Sequence, residues 1–176
     1  PQVPYLLGAR QMTRMGGIRM ADTTRAEFDD SASLEDFRAL ASQPSLRVLQ
    51  CSAPVRDSTW SLINEHFCPV RHDVQLRVYG HYSSECDLSF ARLLPNVHHF
   101  AADCLMRASR VEALAELRGL ESLSLGIVEL TDFGVLENLS PALTSLSLGA
   151  TRSKRPTLAP LGRFRSLRVL YLEGQS

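Results

Sequence analysis

The sequence predicts an α/β solenoid, in which short parallel strands alternate with short helices, and three observations predict it. An apolar pattern, Leu-x-x-Leu-x-Leu, recurs at Leu120, Leu143 and Leu167 with spacings of 23 and 24 residues. Within each copy the last two leucines alternate with period two, which turns one face of an extended strand toward a core and the other toward solvent. Ahead of most copies lies an apolar pattern at helical spacing, so strand and helix alternate once per repeat. The composition supports such a core. The 176 residues are 44% hydrophobic and 22% charged, with 19 basic against 19 acidic side chains, a globular mixture rather than that of a disordered chain. The length favours one domain, residues 1–176.

From the N-terminus, the first unit is read at Met15-x-x-Ile18-x-Met20. Leu34, Phe37 and Leu40 then set a helix that Ser33 and Asp36 can cap. Leu46-x-x-Leu49-x-Cys51 is the next strand, followed by a helix carrying Trp60, Ile63 and Phe67, started by Ser58 and stopped before Pro69, with Trp60 packed beneath it. Val74-x-Leu76-x-Val78 supplies a strand with a blurred first position, and Phe90, Leu93 and Leu94 a helical turn closed by Pro95. Val97-x-x-Phe100-x-Ala102 follows, then Val111, Leu114 and Leu117 up to Gly119, then the three leucine units, the last preceded by Leu158, Leu161 and Phe164. About seven units result, irregular in the N-terminal half. Their core is Ile18, Leu49, Leu76, Phe100, Leu123, Leu146 and Leu170. Each unit has an apolar face too small to stand alone, so neighbours must stack.

Leu120-Glu121-Ser122-Leu123-Ser124-Leu125, with its counterparts at Leu143 and Leu167, resembles the leucine-rich repeat consensus, in a divergent form of bacterial type, over about residues 12 to 176. The resemblance implies a right-handed superhelix with parallel strands on a concave face and short helices on the convex face. It also implies a recognition scaffold for a protein or peptide, the general role of that family. The chain departs from the family at the ninth repeat position, where Asn or Cys usually satisfies the turn backbone. Here stand Thr23, Pro54, Leu105, Val128 and Thr151, so an incomplete ladder along the turns is expected.

In a stacked solenoid the strand residues that face away from the core form columns, one residue per repeat at about 4.8 Å. The first column is Gly17, Val48, Gln75, His99, Ser122, Ser145 and Val169; the middle one is Arg19, Gln50, Arg77, Ala101, Ser124, Ser147 and Tyr171; the third is Ala21, Ser52, Tyr79, Asp103, Gly126, Gly149 and Glu173. Arg19, Gln75, Arg77, Tyr79, His99, Asp103 and Tyr171 are the partner-binding candidates, because planar, charged and aromatic groups concentrate binding energy. Ser122, Ser124, Gly126, Ser145, Ser147 and Gly149 leave a small, flat surface that suits either close approach of a partner or plain solvation.

A net charge of zero removes the global attraction that non-specific nucleic-acid binding relies on, so nucleic acid is not an expected partner. The charge is nonetheless polarised. Residues 21–40 carry six acids against Arg25 and Arg38, whereas Arg152, Lys154, Arg155, Arg163, Arg165 and Arg168 face a single acid, Glu173, after residue 140. An acidic partner, head-to-tail association or a solvated surface each fits that polarity. No apolar run is long enough for a membrane span, and Pro1 to Arg10 lacks the pattern of an export signal. Cys51, Cys68, Cys86 and Cys104 lie in dissimilar contexts and are expected as free thiols in a cytoplasmic protein. His66, Cys68, His72 and Cys86 lack the paired short spacings of a zinc site, so no metal or other cofactor is expected. His98, His99, Asp103 and Cys104 contain the residue types of a hydrolase, but His99 and Asp103 are four residues apart on one strand, more than about 12 Å. No catalytic residue is assigned. The last strand ends four residues before the chain does, which leaves two readings: a piece of a longer array, or an edge that pairs with another copy.

Overall fold

The computed structural model describes residues 14–81, 84–149, 151–153 and 155–173. Pro1 to Arg10 and Lys154 lie outside them. The chain begins with an antiparallel ribbon, β1 (Arg14–Met15), β2 (Ile18–Met20) and β3 (Arg25–Phe28). Gly16 makes the first reversal at φ 54°, a region open to glycine at no steric cost. Asp22 makes the second, its carboxylate accepting the backbone N–H groups of Thr24 at 2.7 Å and Arg25 at 2.9 Å. The bond from the Thr24 backbone, followed by the Arg25 side chain, holds that carboxyl well below the usual carboxylate range. The unit expected at Met15, Ile18 and Met20 is therefore not the first parallel repeat. That strand is β3, whose Ala26 and Glu27 lie abreast of Leu49 and Gln50.

From β3 onward the strands run parallel: β4 (Val48–Cys51), β5 (Gln75–Gly80), then, past the short β6 (Cys86–Asp87), β7 (His99–Leu105). After β8 (Ala108–Ser109) come β9 (Ser122–Ile127), β10 (Ser145–Leu148) and β11 (Val169–Leu172). The main sheet follows sequence order, β1-β2-β3-β4-β5-β7-β9-β10-β11, and β6 pairs with β8 alongside it. Leu49, Leu76, Phe100, Leu123, Leu146 and Leu170 stand abreast in one row, as the leucine spacing predicts. With each strand joined to the next through a short helical segment, this is an α/β solenoid of the leucine-rich-repeat kind.

The helical segments are shorter and tighter than the spacing suggests. Among the described residues, only α1 (Leu34–Ala41) and α2 (Asp57–Leu62) are α-helical. Ser33 and Asp36 form the expected reciprocal capping box on α1, and Asp36 also accepts Gly17 N–H at 3.4 Å, tying the helix to the ribbon. α2 opens at Arg56 rather than Ser58 and widens into a π turn over Ile63–Phe67. Later repeats use 3₁₀ turns, at Leu88–Leu93, Val111–Glu116, Gly134–Asn138 and Ala159–Arg163. A 23-residue repeat leaves little chain for a return path, and one 3₁₀ turn presents a buried residue with the fewest residues spent.

The core changes character along the sheet. Its N-terminal part is aromatic: Phe28 meets Phe37 and Trp60 edge-on, and Trp60 stacks on Phe90 with ring centroids 4.1 Å apart. Its C-terminal part is built of leucines, with Leu123, Leu125, Leu143, Leu146 and Leu148 all at most 1% exposed. Leu170 departs from the expected core: it is 45% exposed, because among the described residues β11 has a neighbouring strand on one side only. The turns that lack Asn or Cys at the ninth position are joined by backbone bonds instead, Val128 N–H to Leu105 C=O at 2.9 Å and Glu129 N–H to Met106 C=O at 3.0 Å. The loss of a side-chain ladder there leaves no gap in the pairing of those groups.

Candidate functional site

Strand alternation sends Arg77 and Tyr79 of β5 to the outer face of the sheet, between Gln50 of β4 and Asp103 of β7. There they form one connected polar network. The Arg77 guanidinium donates through Nε to Asp103 Oδ1 at 2.7 Å and through Nη1 to Gln50 Oε1 at 3.0 Å, and it lies 4.6 Å from the centroid of the Tyr79 ring. Tyr79 donates its hydroxyl to Glu27 Oε1 at 3.0 Å, which also accepts the Ser52 hydroxyl at 2.9 Å. Arg19 closes the far end by pairing with Glu27, its direct partner across the β2–β3 ribbon. Arg19 thus stays in the middle row although its strand runs the other way.

The charges follow from these contacts. Burial alone would raise the Glu27 carboxyl, but hydrogen bonds from Ser52, Tyr79 and Arg19 outweigh it and hold the group below its usual value. Burial also disfavours a charged Arg77, and the Asp103 carboxylate overrides it, pushing the guanidinium pKa up. Tyr79 is pushed up by burial and by donating to Glu27, so it stays a neutral donor. Asp103 is positioned by a bulge: Cys104 adopts φ 53°, and the pairing of β7 with β5 and β9 slips by one residue between Ala102 and Leu105. The bulge also leaves Cys104 exposed, with Sγ 3.7 Å from Arg77 Nη2.

The structure brings together four of the seven residues the sequence singled out, Arg19, Arg77, Tyr79 and Asp103. Gln75 and His99 lie one residue before the Leu76–Phe100 pair, at the opposite end of the strands. Tyr171, 58% exposed on β11, stands four strands beyond Arg77, about 19 Å along the sheet at the usual strand spacing. Glu27, Gln50 and Ser52 complete the network and were not singled out. Glu27 was hidden by the assignment of the first repeat to Ile18. Its own segment, Arg25-Ala26-Glu27-Phe28, alternates correctly but offers only alanine at the first core position.

Around His99 the strand entrances gather further imidazoles. His98 Nδ1 lies 2.9 Å from Glu121 Oε1, and the His72 and His98 rings meet edge-on at 4.7 Å. The bond to His98 holds the Glu121 carboxyl below its usual value. Burial keeps the His99 imidazole below its ordinary pKa, against the opposing charge of Glu121. Beyond the network the outer face flattens: Ser122, Ser124, Ser145 and Ser147 lie in register, and a Cβ on Gly149 would come within 3.0 Å of Gly126 Cα. In the His66–Cys68–His72 segment, Cys68 is buried, His66 Nε2 lies 3.9 Å from Glu65 Oε2 and the His72 ring meets that of His98. No group of three His, Cys, Asp or Glu residues able to hold a metal occurs among the described residues. Among the same residues, no helix is long and apolar enough to cross a membrane.

No protein-family model matches the chain, and no curated protein matches it. Among solved structures, it is similar to an internalin, InlF, from Listeria monocytogenes, at 20% identity with a TM-score of 0.49 over 85% of this chain and 42% of that one. It is also similar to internalin C2 from the same organism, at 18% identity with a TM-score of 0.47 over 86% of this chain and 71% of that one. The chain spans less than half of the length of the first of these proteins.

Proposed function

We propose that the chain is a non-catalytic recognition scaffold that binds a protein or peptide on the outer, concave face of its sheet. The observation that carries this reading is the Arg19–Glu27–Tyr79–Arg77–Asp103 network. Its planar and charged groups are held in one geometry before any partner arrives, which lowers the entropy a partner must overcome on binding. Beside it the flat Ser and Gly rows allow a partner backbone to approach closely. Gln75, His99 and Tyr171 extend the surface to the strand entrances and the last strand. The non-catalytic reading is supported by commitments within the cluster that resembles a hydrolase: Asp103 is engaged by Arg77 and His98 by Glu121. A reducing, cytoplasmic setting is supported by four free cysteines, three of them buried, with the Cys68 and Cys86 thiols each pushed up to about 12 by burial.

Affinity capture from the source lysate tests the reading, with the double variant Ser124→Arg, Ser147→Arg as comparison. Both serines face outward, so the variant keeps the core and blocks the flat surface. A partner retained by the wild type and lost by the variant supports the strand face; an unchanged set of partners removes the site from the serine rows of β9 and β10.

A second reading, self-association through β11, is favoured by one observation. Val169, Leu170, Tyr171 and Leu172 are 57%, 45%, 58% and 36% exposed, an apolar strand whose second edge has no strand beside it among the described residues. Light scattering over a range of concentrations separates the two readings: growth in mass that Leu170→Glu abolishes supports self-association, and a monomer at the highest concentration rules it out.

A further inference from the structure

His81 is the one buried side chain among the described residues whose polar atoms have no hydrogen-bond partner. It is 8% exposed, follows β5 in the left-handed region at φ 49°, and is fixed on both sides by its backbone, N–H to Ser52 C=O at 3.3 Å and C=O from Ser84 N–H at 3.1 Å. Both ring nitrogens are closed off. Such a group in a native fold calls for a reason. Burial keeps the imidazole below its ordinary pKa, so the ring is neutral and carries one acceptor nitrogen.

The ring forms a wall of a cavity of about 230 Å³ at the edge of the solenoid, between the strand-to-helix connections of two successive repeats. The floor is apolar, made by Val55 and the stacked Trp60 and Phe90 rings. Three carboxylates rim it, Asp57, Glu85 and Asp87. Asp57 is paired with Arg92 at 3.0 Å and Asp87 with Arg110 at 2.9 Å. Glu85 is exposed and takes part in no ion pair among the described residues. One uncompensated negative charge therefore stands at the mouth of an aromatic cavity whose wall holds an unused acceptor.

We propose that this cavity seats one cationic side chain, an arginine or lysine of a peptide or protein ligand, with its aliphatic stem on Val55 and Phe90, its charge at Glu85, and an N–H donated to His81 once the ring turns. The site lies off the strand face and stands whether or not that face binds a partner.

Trp60 is the sole tryptophan of the chain and floors the cavity, so its emission reports on occupancy directly. Titration with N-acetyl-arginine amide is expected to give a saturable change in that emission. N-acetyl-citrulline amide, of the same shape but uncharged, is expected to bind about tenfold more weakly, the factor of one charge-assisted hydrogen bond. Glu85→Gln, at an exposed position that leaves the fold intact, is expected to remove the preference for arginine while the thermal midpoint stays unchanged. Nitrogen NMR of the histidine rings should show the His81 resonances moving on addition of arginine amide. The absence of saturation, equal binding of arginine and citrulline, or an unchanged preference in Glu85→Gln would each overturn the proposal.

Discussion

Arg77 joins three strands through one side chain. Its partners on β4 and β7 are half-buried or buried, so removing the guanidinium strands Asp103 and Gln50 without their donors. Arg77→Leu is expected to cost about 1–3 kcal/mol in chemical denaturation, and a loss too small to measure would show that the network adds specificity without stability. Arg71 has a comparable structural role that sequence reading did not detect: its guanidinium donates to Gln43 C=O at 2.7 Å and Leu46 C=O at 2.8 Å, carbonyls of the segment after α1. Nothing in the pattern distinguishes it from the exposed arginines around it. Glu27 gives a pH signature. Its folded pKa is depressed, so its contribution is present above the unfolded value of about 4.3 and is lost as pH falls through the folded one. Stability of the wild type is therefore expected to fall between pH 5 and lower pH more steeply than that of Glu27→Gln, measured as urea midpoints across that window.

At the scale of elements, the leucine rows were legible and the N-terminal ribbon was not, for one physical reason. A core position filled by leucine gives a strong periodic signal, as in Leu123 and Leu146, whereas the row begins at Ala26, whose small side chain suffices because the Phe28, Phe37 and Trp60 rings fill the space beside it. Met15, Ile18 and Met20 matched the template better, and Ile18 is indeed buried, but on an antiparallel strand. The 3₁₀ turn at Gly134–Asn138 was likewise not singled out, although Phe133, Leu136 and Leu139 are buried around it at the same three-residue spacing as Leu158, Leu161 and Phe164 around the turn at Ala159–Arg163. The position within the row sets energetic weight. Leu146→Ala, fully buried, is expected to cost about 2–5 kcal/mol, while Leu170→Ala at the same repeat position is expected to cost well under half of that because the side chain is already 45% exposed. Equal losses in thermal or urea unfolding would mean that β11 is covered in solution.

For the molecule as a whole, the sheet carries two surfaces of unlike chemistry. The N-terminal strands present an interlocked network of Arg, Glu, Tyr and Asp, and the following strands present Ser and Gly, then Tyr171 among exposed apolar residues. The columns of this face were largely legible, since register follows once the leucines are aligned; the pairing of their charges was not, because it depends on which rotamers meet across neighbouring strands. A surface held by its own ion pairs binds through shape and preorganised donors rather than through bare charge. Hydroxyl-radical footprinting of the captured complex tests that account most directly. Oxidation of Tyr79, His99 and Tyr171 is expected to slow in the complex while Val70 and Met106, exposed outside the strands, react as in the free chain. Protection confined to Val70 and Met106, with the three strand residues unchanged, would contradict it.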